Sequence, residues 1–121
     1  MNSPLRMSLN EALTLIAEDP DQARYAFPVH HGTMRVGVYA PRGTDHQKPH
    51  GQDELYIVIS GTGRIYLDGS ESHFNPGDVL FVGAGSEHRF ENFTDDFAAW
   101  VVFWGPDGGE SNSLRSAEAT A

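Results

Sequence analysis

The chain has 121 residues, 39% of them hydrophobic and 21% charged, with no cysteine and a formal net charge of −9 from 17 acidic and 8 basic side chains. This composition suits one soluble globular domain and excludes disulfides, thiolate metal sites and cysteine nucleophiles. It also argues against nucleic acid or an anionic membrane as partner, because both are held largely by clustered Lys and Arg.

There is no run of about 18 apolar residues, and the first residues lack the apolar stretch of a secretory signal, so a cytoplasmic location is expected. Ser8-Leu9-Asn10-Glu11 has the form of a capping box, and Leu9, Leu13 and Leu15 or Ile16 follow at helical spacing up to Asp19-Pro20. One short helix is expected inside an N-terminal segment spanning residues 1–22. From Tyr25 the period changes to two: Met34, Val36, Val38 and Ala40 alternate with Arg35, Gly37 and Tyr39, the pattern of a half-buried strand. Further strands are expected at about 54–60, 63–68, 78–82, 87–92 and 97–104. Gly61-Thr62-Gly63 reads as a hairpin turn, since no helix follows to make it a phosphate loop, and Asp68-Gly69-Ser70 is a second turn signal. Asn75-Pro76-Gly77-Asp78 places Pro and Gly at the centre of a type II turn. Many short strands mean a sandwich or barrel, here over residues 23–105, followed by a flexible tail at 106–121. Leu55, Ile57 and Ile59 alternate with Tyr56 and Val58, so both faces of that strand are apolar and the face away from the core is expected to be covered by another sheet or subunit. A homodimer follows as the expected assembly.

The chemistry lies in His50-Gly51-Gln52-Asp53-Glu54 and in His88. In an extended strand, residues four apart are separated by roughly 13 Å, so His50 and Glu54 can meet only if the chain turns between them. Gly51-Gln52-Asp53 is turn-prone, and the β-branched run after it disfavours a helix. Two imidazoles and one carboxylate form the inventory of a divalent transition-metal site, and nitrogen and oxygen ligands leave iron, manganese, zinc, nickel, copper or cobalt. His30, His31 and His73 belong to no useful spacing. Asp45, Asp53, Asp95 and Asp96 are read as solvated loop acids, and Arg89 as pointing to the outer face.

These residues resemble the cupin pattern. Three residues lie between His50 and Glu54 and six between Glu54 and Gly61, and Gly77, Gly85, His88 and Asn92 follow with the spacing of the second cupin motif. Gly83 stands where the family has Pro, and Lys48 stands in the slot of the first motif histidine, where an ammonium has no lone pair to give. The fourth ligand is therefore open between His46 and Gln47, with water as the remaining choice. The resemblance implies an all-β double-stranded β-helix, a jelly-roll-like barrel of two antiparallel sheets, with Fe, Mn, Zn or Ni held at one open end by His50, Glu54 and His88. It also implies that Tyr56, Phe90 and Asn92 point inward. The last strand turns inward either Trp100, Val102 and Trp104 or Ala99, Val101 and Phe103; Tyr56, Phe90 and Trp100 are taken as the substrate pocket. The function so implied is action on a small oxygenated organic substrate by oxygenase, isomerase or lyase chemistry, with a non-catalytic binding or sensing module as the alternative. No catalytic side chain beyond the ligands is identified.

Overall fold

The structure, a computed structural model, describes residues 6–18, 23–45 and 47–111. Residues 19–20, expected to end the helix, and His46, one of the two choices for fourth ligand, lie outside the described residues, as do residues 112–121.

Helix α1 (Leu9–Ala17) starts with Ser8 as its N-cap. Ser8 has extended backbone, its Oγ accepts from the Glu11 N–H at 3.1 Å, and its hydroxyl donates to Glu11 Oε1 at 3.0 Å. Ala12 and Ile16 are the residues it buries, against Val38, Ala40 and Ala98, while Leu15 stays 41% exposed. Replacing Ser8 by Ala is expected to cost about 1 kcal/mol, read as a lower urea midpoint with an unchanged slope.

Eight strands follow: β1 (Tyr25–His31), β2 (Met34–Tyr39), β3 (Asp53–Ser60), β4 (Gly63–Leu67), β5 (Ser70–Phe74), β6 (Val79–Val82), β7 (His88–Glu91) and β8 (Ala98–Trp104). They form a five-stranded sheet in the order β1-β2-β8-β3-β6 and a three-stranded sheet in the order β5-β4-β7, with antiparallel pairing throughout. The core lies between the sheets and is built largely from rings. Phe90 and Phe97 centroids are 4.7 Å apart, Phe74 and Phe97 4.8 Å, and Tyr56 meets Phe90 edge-on at 4.9 Å.

Several expectations are corrected. Gly61-Thr62-Gly63 is not a hairpin turn, because β3 pairs with β6 and β8 while β4 pairs with β5 and β7, so this segment crosses between sheets. Gly61 has φ +84 there, and a Cβ would come within 2.6 Å of Phe97 Cα. Strand β5 was not expected at all: it is an exposed edge whose first four residues, Ser70 to His73, offer no apolar alternation. Asn92 does not point inward, since it leaves β7 with a left-handed φ of 52° and is exposed. Trp100 is not a pocket residue. Its neighbour Val101 pairs directly with Tyr56, so Val101 shares the inward face and Trp100 packs outside with the residues under α1. The expected tail boundary at 106 also falls inside bonded structure, because Gly108 N–H donates to Gly51 O at 2.7 Å and Glu110 N–H to Asp53 Oδ2 at 2.8 Å. Among the described residues no helix is long and apolar enough to cross a membrane.

Candidate metal centre

His50 lies in the loop before β3, Glu54 is the second residue of β3, and His88 is the first residue of β7. The turn that brings His50 back to Glu54 is fixed from several sides. Gly85 N–H donates to His50 O at 2.7 Å, and Gln52 Nε2 donates to Gly105 O at 3.0 Å and Thr33 O at 3.1 Å. Asp53 is buried and accepts from Ala84 N–H at 3.0 Å and from Glu110 N–H at 2.8 Å, so it is a structural clamp rather than a solvated acid.

The three side chains converge. Glu54 Oε1 is 3.3 Å from His88 Nε2 and 3.9 Å from His50 Nε2, and one ligating atom from each residue lies within 4.8 Å of the others. Atoms bound to a metal at about 2.1 Å stand about 3 Å apart at right angles and about 4.2 Å apart when opposite, so small movements would bring all three onto one ion. Glu54 Oε1 and His88 Nε2 are buried and have no hydrogen-bond partner among the described residues. Facing each other at 3.3 Å in the core, the two atoms need a proton or a cation between them. The donor set fits a divalent transition metal.

The surrounding groups prepare these donors. His88 Nδ1 lies 3.0 Å from the Ser86 carbonyl, which can only accept, so Nδ1 carries the hydrogen and Nε2 presents its lone pair. Gln47 Oε1 sits 3.3 Å from His50 Nε2 and accepts from the Tyr56 hydroxyl at 2.8 Å, while Gln47 Nε2 donates to Asp45 Oδ2 at 3.1 Å. Its oxygen is thereby turned toward His50. Asp45 is the residue that sequence reasoning misjudged. It is buried and also accepts from the Tyr39 hydroxyl at 2.6 Å, Gln47 N–H at 3.1 Å and Phe90 N–H at 2.7 Å. The available signal was its position two residues before Gln47, the spacing at which an Asp side chain bonds a following backbone N–H.

Burial holds the His50 pKa below the usual histidine value, with the charges of His88 and Arg35 adding to the shift against Glu54. Burial of His88 also works against its charge, but the Glu54 carboxylate and Ser86 carbonyl outweigh it and push the pKa up. Burial, reinforced by nearby carboxylates, pushes both Tyr39 and Tyr56 up, so both stay protonated at neutral pH.

A cavity of about 760 Å³ opens beside the centre, lined by His50, Glu54, Gln47, Tyr56, Val101 and Phe103 among others, a size suited to a small organic molecule. Phe90 is in the core behind Tyr56 and is not on this wall. Lys48 is exposed at the cavity rim. His30, His31 and His73 are exposed, and Arg89 lies outside over the Tyr66 ring at 4.1 Å, paired with Glu91 at 3.1 Å.

The model of the cupin domain family matches residues 35–104. A Streptomyces coelicolor protein of uncharacterized function is 41% identical over 76 residues, covering 61% of this chain and 72% of its own length. A Mycobacterium tuberculosis protein named as a β-D-galactosidase is 28% identical over 96 residues, covering 65% of this chain and 83% of its own length. Among solved structures, the NMB1881 protein from Neisseria meningitidis superimposes with a TM-score of 0.63 at 16% identity, over 83% of this chain and 99% of that one. This last likeness is one of fold. Since the family model spans both ligand-bearing segments and more than half of the sequence, the chain belongs to the cupin family.

Proposed function

We propose that the protein binds one divalent transition metal, Fe, Mn, Zn or Ni, through His50, Glu54 and His88, and acts on a small oxygenated organic molecule held in the adjoining cavity. The reading is carried by the buried Glu54 Oε1 and His88 Nε2, which face each other at 3.3 Å without a hydrogen-bond partner among the described residues. Gln47 Oε1 is the fourth ligand in this reading, oriented by Tyr56 and Asp45; His46 is the rival outside the described residues. A bound ion with open positions supplies Lewis acidity, or redox chemistry if it is iron, for oxygenase, isomerase or lyase reactions. The chain's own contribution is orientation and exclusion of water. His88 is aimed by Ser86, Glu54 is buried, and Phe103 and Val101 form an apolar wall. The test is metal content in protein purified without an affinity tag and from the cytoplasm, its proposed location. Wild type and His73→Ala are expected to carry close to one metal per chain, and His50→Ala and His88→Ala to lose it. Equal content in all four contradicts the site.

One observation favours a non-catalytic binding or sensing module as the second reading. Two titratable groups of the cavity wall, Tyr39 and Tyr56, both hold their protons above neutral pH and so offer no base there.

The assembly proposed is a homodimer through the outer face of β3 and β6. Val79 is 61% exposed, Phe81 56% and Ile57 37%, a contiguous apolar patch on neighbouring strands at the sheet edge. Phe81→Glu is expected to convert a dimeric mass in light scattering to a monomeric one; a monomeric wild type contradicts the assembly.

A further inference from the structure

The basic side chains divide into two groups. Of the 8 in the chain, Arg115 alone lies outside the described residues. Arg6, Arg64 and Arg89 each stand beside a carboxylate, at 3.9 Å from Glu11, 3.7 Å from Glu71 and 3.1 Å from Glu91. Arg24, Arg35, Arg42 and Lys48 all line the cavity. None of these four has an ion-pair partner among the described residues, in a chain with 17 acidic residues. The one carboxylate on the same wall is Glu54, which belongs to the metal centre.

A net-acidic protein that gathers in one concave site four cations with no ion-pair partner among the described residues favours an anion there. Arg24 and Arg42 are anchored through backbone carbonyls: Arg24 Nε donates to Ala40 O at 2.8 Å and Arg42 Nη1 to Pro41 O at 3.0 Å. Burial and the charge of Arg42 hold the Arg24 pKa below its usual value, as two guanidinium groups on one site do. Arg35 is the most firmly presented. Its Cζ lies 4.7 Å from the Phe103 centroid and 5.3 Å from that of Phe27, and its Nη2 donates to Gln52 Oε1 at 3.2 Å. The His50 ring stands 5.0 Å from the same Phe103 ring, so one side chain separates the guanidinium from the metal centre.

We infer that the cavity receives an organic carboxylate, with Arg35 binding the anionic group and Arg24, Arg42 and Lys48 supplying further positive field while the opposite, oxygenated end of the ligand reaches toward His50, Glu54 and His88. The second half of this statement rests on the metal reading above; the carboxylate half rests on the cations alone. A guanidinium offers a planar fork that matches a carboxylate, and the stacking on two phenyl rings fixes that fork before the ligand arrives.

The test is calorimetric binding of oxaloacetate, 2-oxoglutarate and 2-oxoadipate to zinc-loaded protein, each against its ω-dimethylamide, which cannot close into a lactam and so keeps the α-oxo acid while removing the distal charge. At least one acid is expected to bind about tenfold or more tightly than its amide, and Arg35→Gln is expected to reduce that preference to below about threefold with zinc content unchanged. Lys48→Gln, at an exposed position where folding is not at stake, is expected to weaken the same acid by about threefold, and added salt to weaken the acids more than the amides. No preference for the acid at any length, including no binding at all, overturns the inference, as does a preference that Arg35→Gln and Lys48→Gln leave intact. Failure of the metal reading shows separately, as wild type that holds no zinc before any ligand is added. Succinate against succinamate on the same protein then tests the cationic site by itself, with the same two outcomes.

Discussion

Asp45→Ala is expected to destabilise the protein by about 3–5 kcal/mol, because one buried carboxylate satisfies several donors at once and its loss leaves them without a partner. The Tyr39 hydroxyl, the Gln47 N–H and Nε2, and the Phe90 N–H all donate to it. Phe90 is buried, so water cannot readily replace the lost acceptor at its N–H. Asp45→Asn keeps the volume but turns an amide N–H toward groups that are themselves donors, and is expected to recover only part of the loss. Urea denaturation gives the number; a change below about 1 kcal/mol in the alanine variant would show that these bonds are made equally well with solvent. The same substitution releases the carboxamide of Gln47, so metal affinity is expected to fall along with stability.

The second large effect is acid release of the metal. Coordination needs neutral imidazoles, so protons compete with the ion, and the apparent affinity is expected to drop about tenfold per pH unit once one histidine takes up a proton and up to a hundredfold per unit when both do. His88, whose pKa is raised, competes first as pH falls; His50, whose pKa is lowered, competes only further down. Metal-free protein behaves differently. The raised His88 pKa contributes stability that is present below the unfolded value and lost as pH rises through the folded one. The lowered His50 pKa acts oppositely: its folded state resists protonation, so stability is lost as pH falls below the unfolded value. The two act on opposite sides of the unfolded histidine value, so the metal-free protein is expected to be most stable near it. Between about pH 5.5 and 7.5, melting temperature is expected to fall steeply and continuously on acidification for metal-loaded protein, and after chelator treatment to pass through a shallow maximum near the unfolded histidine value. Parallel curves with and without chelator would mean that no ion links these histidines to stability.

The candidate metal site was legible in the sequence, its His50–Glu54 half from local turn residues and His88 from its place in the cupin pattern. A turn between His50 and Glu54 can be read from Gly, Asp and β-branched residues, and the structure brings those side chains together with His88. The N-cap at Ser8 and the turn at Asn75 to Asp78 were likewise legible from local residues; Gly77 has φ +90 and Asp78 N–H donates to Asn75 O at 3.1 Å. What escaped depends on pairing between distant segments. In β8 both parities are apolar, and only the register of Val101 on Tyr56 decides that Trp100 faces outward. Asp45 and Asp53 looked like solvated loop acids because their donors, Phe90 N–H and Ala84 N–H, come from elsewhere in the chain. Arg24, Arg35, Arg42 and Lys48 are separated in sequence by strands and loops, and their convergence on one cavity follows from the way β1, β2 and the segment after β2 close over the site.

The most direct test of the metal reading is anomalous scattering from a crystal of the untagged protein, recorded across the absorption edge of whichever metal elemental analysis finds. A single peak about 2.1 Å from His50 Nε2, Glu54 Oε1 and His88 Nε2, with Gln47 Oε1 alongside, is the expected result. Density without such a peak, with His88 Nε2 hydrogen-bonded directly to Glu54, would contradict it and leave a barrel that holds its ligand without an ion.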